Sequence, residues 1–206
     1  MMNSTPIIKS FPPPPIDRRE IYRYMKCKSV SADTEALVNK AILLCDGELR
    51  YDTVSLELPV MTENDGITDF GTVRVSSRDL SKDLCGCDRA VIFAATVGLG
   101  IDRLIAKYGK TSPSLALAIQ AYGAERIESL CDAFCAEAKQ KYGNIRPRFS
   151  AGYGDLPLEF QNCIFSILNC NKSIGLTLNG SLLMSPSKSV TAIIGIGKTD
   201  NNYETT

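Results

Sequence analysis

Side-chain chemistry is densest in this sequence between Arg146 and Pro157, which reads Arg-Pro-Arg-Phe-Ser-Ala-Gly-Tyr-Gly-Asp-Leu-Pro. The planar fork of Arg148 can grip a carboxylate at two points. Small residues at 150–152, Gly152 among them, let main-chain amides approach a ligand closely, and Tyr153 offers an aromatic face. A ligand carrying an amino-acid group fits that set. A plainer reading, a turn between helices with a solvated arginine, fits the same composition, because Gly, Pro and Ser mark turns for their own backbone reasons.

The other motifs lose their chemistry on inspection. Gly195-Ile196-Gly197-Lys198-Thr199 invites a phosphate-loop reading, but such a loop needs a glycine where Ala192 stands and a helix after the motif, for which seven residues remain. Gly98-Leu99-Gly100 lacks the third glycine of a dinucleotide fingerprint. With no histidine in the chain, Ser-His-Asp and Cys-His sites are excluded. Cys85-Gly86-Cys87 is too tightly spaced for a zinc knuckle and is expected to be buried beside the strand that follows. Chemistry brought by a bound molecule suits this sequence better than chemistry from its own side chains.

The elements that must position the loop can be read from periodicity. Asp17 suits the N-cap of a short helix over 16–25, and a second helix runs from about Asp33 to Cys45 and stops at Gly47. Residues 51–58 alternate as a strand with Val54, Leu56 and Leu58 on one face, and Pro59 closes it. A short strand over 72–75 and a helical turn capped by Ser77 come next. Residues 89–96 form an apolar run, the mark of a strand buried on both faces. Helices are expected over 98–107 and from Ser112 to Lys141, the latter with Pro113 at its first position and Gly123 as a weak or bent point. Another helix starts at Pro157, and a β-branched strand spans 188–196. Strands separated by helices without regular alternation indicate an α+β fold.

Composition narrows the class of function. Acidic and basic side chains balance at 23 each, which disfavours nucleic-acid binding, since phosphate neutralisation needs a basic excess. No apolar run approaches the ~20 residues that span a bilayer. The first residues are polar and then proline-rich, with no signal peptide, so a cytoplasmic location with free thiols is expected. Residues 1–15 read as a flexible Pro-rich arm and 16–206 as a single domain.

The Arg-x-Ser-x-Gly-Tyr sequence at 148–153, followed by Pro157, resembles the motif of the activation domain of vitamin B12-dependent methionine synthase. Residues 175–184 leading into Ser185-Pro186-Ser187-Lys188-Ser189-Val190-Thr191 are similar to a second signature of that family. The stretch 93–98 and the helix through Ala121-Tyr122-Gly123 resemble its small standalone members. The blocks together cover about residues 75–196. The resemblance implies an α+β fold with a mainly antiparallel sheet flanked by helices, and S-adenosylmethionine as ligand. It implies that Arg148 holds the ligand's carboxylate, that the backbone at Ser150 and Gly152 faces it, and that Tyr153 lies beside it. Glu128 falls at the place of a ligand-contacting glutamate, although a solvated helical carboxylate is an equal reading of that residue. Asp17 and Tyr203 stand nearest to two further family positions, on no motif of their own. The implied role is to present S-adenosylmethionine for reductive remethylation of cobalamin held by a separate methionine synthase chain, with a flavodoxin-type reductant as electron source. Service to another corrinoid methyltransferase, or a non-catalytic interaction module that no longer binds the ligand, are the alternatives.

Overall fold

A computed structural model describes residues 5–63 and 65–197. Its centre is a four-stranded sheet in the order β1 (Ile7–Ser10), β2 (Asp52–Pro59), β6 (Cys87–Thr96), β9 (Ser189–Gly197), with every neighbouring pair antiparallel. The apolar run of β6 is central for the reason its sequence suggests. Ala90, Ile92 and Ala94 face one core, while Phe93 and Ala95 face the other, and all five are fully buried.

Four helices cover one face: α1 (Arg18–Tyr24), α2 (Ala32–Cys45), α4 (Gly100–Tyr108) and α5 (Pro113–Tyr142). The other face carries α3 (Arg78–Asp83), α6 (Phe160–Leu168) and α7 (Cys170–Ile174). With it goes a small sheet of β3 (Met61–Thr62), β4 (Ile67–Asp69) and β5 (Arg74–Ser76). A two-stranded ribbon, β7 (Thr177–Leu178) with β8 (Met184–Ser185), precedes β9. Val54, Leu56 and Leu58 share the second face as their alternation predicts. The α+β class and the antiparallel sheet flanked by helices are those expected from the sequence.

Three local expectations change. Within the proline-rich arm, Ile7–Ser10 is an edge strand paired to β2, where composition alone predicts a loose tether. Phe11 N–H donates to the Tyr51 carbonyl at 2.8 Å, so odd residues bond inward, and Pro6 just before the strand and Pro12 just after it fall on the outward parity. Prolines there offer no N–H to another strand, which blunts the edge. The arm's path is fixed further along by a buried ion pair on α5. Arg126 donates through Nη1 to the Pro14 carbonyl at 2.6 Å and through Nη2 to the Pro15 carbonyl at 2.7 Å, and Glu125 accepts from Asp17 N–H at 2.9 Å.

The second change is at Gly123. Helix α5 runs through it without a break. A Cβ there would stand 2.8 Å from Ile101 Cγ2, so the glycine serves the close approach of α4. Third, Cys87 is buried as expected but Cys85 is exposed. All eight cysteines are free thiols. Among the described residues no helix is long and apolar enough to cross a membrane.

Candidate functional site

The loop that carries Arg148 leaves α5 at Gly143 and runs alongside the edge strand β9 as a fifth, irregular strip. Ile145 bridges to Ile196, and Arg146 N–H donates to the Gly195 carbonyl at 2.8 Å. Phe149 and Ile193 then exchange both backbone bonds, at 2.8 and 2.9 Å. In a regular strand Ile145 and Phe149 would share a face. Here Ile145 packs with the α5 core and Phe149 with the α3 core, so the strip slips by one residue between them, where Pro147 has no N–H to offer. The slip sends the two arginines to opposite sides of the sheet edge.

Arg148 turns toward α5. Its Nη2 donates to Glu128 Oε2 and to Asp132 Oδ1, both at 2.9 Å. Arg148 is 26% exposed, Glu128 44% and Asp132 73%, so the trio forms a surface with one half-buried cation beneath two more open carboxylates. Beneath it lies the buried thiol of Cys131, pushed up to about 12 by burial. That group is a neutral SH at any ordinary pH and adds no charge. Glu128 also acts on Tyr24 of α1, whose hydroxyl is raised by burial and by the Glu128 charge.

Arg146 turns the other way and donates to the Cys85 carbonyl at 2.9 Å. It lines an open cleft of about 480 Å³ together with Asp79, Lys82, Asp83, Phe149 and Tyr153. Asp83 leaves one carboxylate oxygen, Oδ2, buried without a hydrogen-bond partner, and burial raises its carboxyl although Arg146 acts against the shift. Tyr153 is 71% exposed and sets its ring edge-on to Phe149, at 80° with centroids 6.0 Å apart.

Residues 150–156 close into a tight turn. Tyr153 N–H donates to the Ser150 carbonyl, Leu156 N–H to the Tyr153 carbonyl, and Gly152 N–H to the Leu156 carbonyl at 2.9 Å. Gly152 takes φ of +85°, a conformation that side-chain-bearing residues rarely adopt. Asp155 fastens the turn to the N-terminus of α3. Its carboxylate accepts from Ser77 Oγ at 2.5 Å, Arg78 N–H at 2.9 Å and Asp79 N–H at 3.2 Å, while Asp79 returns a bond from Asp155 N–H. The Ser77 hydroxyl, followed by these amides, holds the Asp155 carboxyl below its ordinary range.

Of the residues singled out from the sequence, Arg148 and Glu128 meet directly. Ser150 and Gly152 shape the turn, and Tyr153 stands at the cleft on the α3 side. Asp17 spends its carboxylate as the cap of α1, accepting from Arg19 N–H at 2.9 Å. Tyr203, Lys198 and Thr199 lie outside the described residues. Asp132 and Asp155 escaped the sequence reading. Asp132 lies four residues after Glu128, the spacing that puts two side chains on one helical face, so that signal was available. Asp155 gave none, because its partners lie 76–78 residues away in sequence.

Searches against protein-family models and against curated proteins return no match. Among solved structures, the chain is similar to the MetH reactivation domain bound to AdoHcy, with a TM-score of 0.64 and 15% sequence identity. The match covers 88% of this chain and 70% of that one. At that identity the likeness is one of fold: this chain has a fold similar to that of the MetH reactivation domain.

Proposed function

We propose that this chain binds S-adenosylmethionine at the Arg148 surface and presents it to a cobalamin-bearing methionine synthase chain, so that inactive cobalamin is reductively remethylated with an electron from a flavodoxin-type donor and AdoHcy is left behind. The observation that carries the reading is Arg148 held by Glu128 and Asp132 beside a turn with small residues, on a fold similar to one solved with AdoHcy. The amino-acid end of the ligand bears a carboxylate and an ammonium. Arg148 matches the first as a charge-assisted, forked donor, and Glu128 matches the second. Tyr153 adds an open aromatic face at the other side of the turn.

The task fits a site without histidine or an activated nucleophile. When the ligand is bound, its sulfonium supplies the transferable methyl group, and the corrinoid comes with the client chain. The residues of this chain hold and orient, which converts a bimolecular encounter into a positioned one. Both Nη2 hydrogens of Arg148 are engaged with Glu128 and Asp132, so a two-pronged grip on the ligand displaces one of these carboxylates. Asp132, the more exposed, is the one expected to move.

Calorimetric titration of S-adenosylmethionine into the purified protein tests the reading. Saturable binding by the wild type that weakens at least tenfold in Arg148→Ala is the expected result, in line with the ~1.5–3 kcal/mol of a hydrogen bond to a charged group. Equal affinity in the two proteins would rule out this site.

A further inference from the structure

Two carboxylates against one guanidinium give the surface a net charge of −1. The buried Cys131 thiol beneath is neutral and does not alter that sum. A neutral zwitterion needs only one positive and one negative partner, which Arg148 and Glu128 already provide. The second carboxylate, Asp132, is surplus to an amino-acid group alone. It is also the most exposed of the three, free to turn from Arg148 to a ligand without uncovering a buried charge.

From this surplus, and resting on the ligand assignment above, we infer that Asp132 is a specificity-determining residue: it selects the sulfonium form, S-adenosylmethionine, over the neutral thioether left after methyl transfer. S-adenosylmethionine carries an ammonium, a carboxylate and a sulfonium, for a net charge of +1, whereas AdoHcy lacks the sulfonium charge and is a neutral zwitterion. The sulfur is joined to the carboxyl carbon through three carbons, so a carboxylate on Arg148 holds the sulfonium within a Debye length, ~8 Å, of Asp132 and Glu128. Attraction between unlike charges at such a range, partly screened by solvent, discriminates between the two ligands without any contact to the methyl group. The consequence for a presenting protein is release of the spent ligand in favour of a fresh one.

The ratio of dissociation constants for the two ligands isolates this effect, because removal of Asp132 as a competitor for Arg148 changes both affinities alike. Titrations of S-adenosylmethionine and AdoHcy into wild type and Asp132→Asn, at low and high salt, provide the test. The wild type should prefer the sulfonium, and the preference should fall about three- to fivefold in the variant and shrink with added salt. Glu128→Gln, a second isosteric variant, should move the ratio in the same direction. An unchanged ratio in Asp132→Asn, with both ligands still bound, would overturn the inference and leave the ligand assignment standing. Failure of the wild type to bind either ligand would sink the assignment and this inference together.

Discussion

Arg146 and Arg148 are two residues apart in one loop and serve opposite sides of the sheet edge. Composition alone does not tell them apart, and the motif at 148–153 marks only Arg148. What separates them is the one-residue slip at Pro147, a consequence of pairing with β9 that exists only once the strand is in place. The motif reading nonetheless drew attention to Arg148 and Glu128, which do meet, while Asp132 was legible by spacing and overlooked. Asp155 makes a separate prediction at this scale. Its carboxyl is held low in the folded state, so its contribution to stability is fully present above the unfolded value of about 3.9 and is lost as pH falls through the lower folded value. Asp155→Ala should lower the melting temperature by a constant amount from neutral pH down to about pH 5, and the difference from wild type should close at more acid pH. A difference that stays constant down to strong acid would mean that the carboxylate does not hold the turn.

Among the elements, α5 organises the most. It contributes Glu128 and Asp132 to the candidate site, packs against α4 through Gly123, and carries the Glu125–Arg126 pair that fixes residues 14–17. Periodicity predicted this helix nearly to its ends, because a long run of apolar spacing with proline at the start is a strong local signal. The edge strand β1 was illegible: four exposed residues beside prolines have no internal pattern, and their pairing depends on β2, some 45 residues away. The arm's attachment is equally non-local. Arg126 and Glu125 are 1% and 2% exposed at their side chains, so removal of the arginine leaves a buried carboxylate without its counter-charge. Arg126→Ala should cost about 3–5 kcal/mol of unfolding free energy and speed amide exchange in residues 16–25. Denaturant unfolding and hydrogen exchange check this together; a loss under 1 kcal/mol with unchanged exchange would refute the anchoring role.

For the molecule as a whole, one antiparallel sheet separates two cores, and the candidate site sits at the sheet's β9 edge, where the irregular strip replaces a regular neighbour. A surface at an edge is open to a second protein on several sides, which suits the proposed role of offering a ligand to a cofactor on another chain. The fold class was legible in the order of strands and helices. The location of the site was legible only through the loop's motif, since nothing in periodicity says which sheet edge a loop will follow. The proposed place of S-adenosylmethionine is where Arg148 meets α5. Titration of the ligand into isotopically labelled protein, followed by amide chemical shifts, tests it most directly. Saturable shifts concentrated at Glu128, Asp132, Arg148 and residues 150–153 are expected. Shifts confined elsewhere, such as the surface where Lys9 of β1 meets Glu137 of α5, or none at millimolar ligand, would rule that place out.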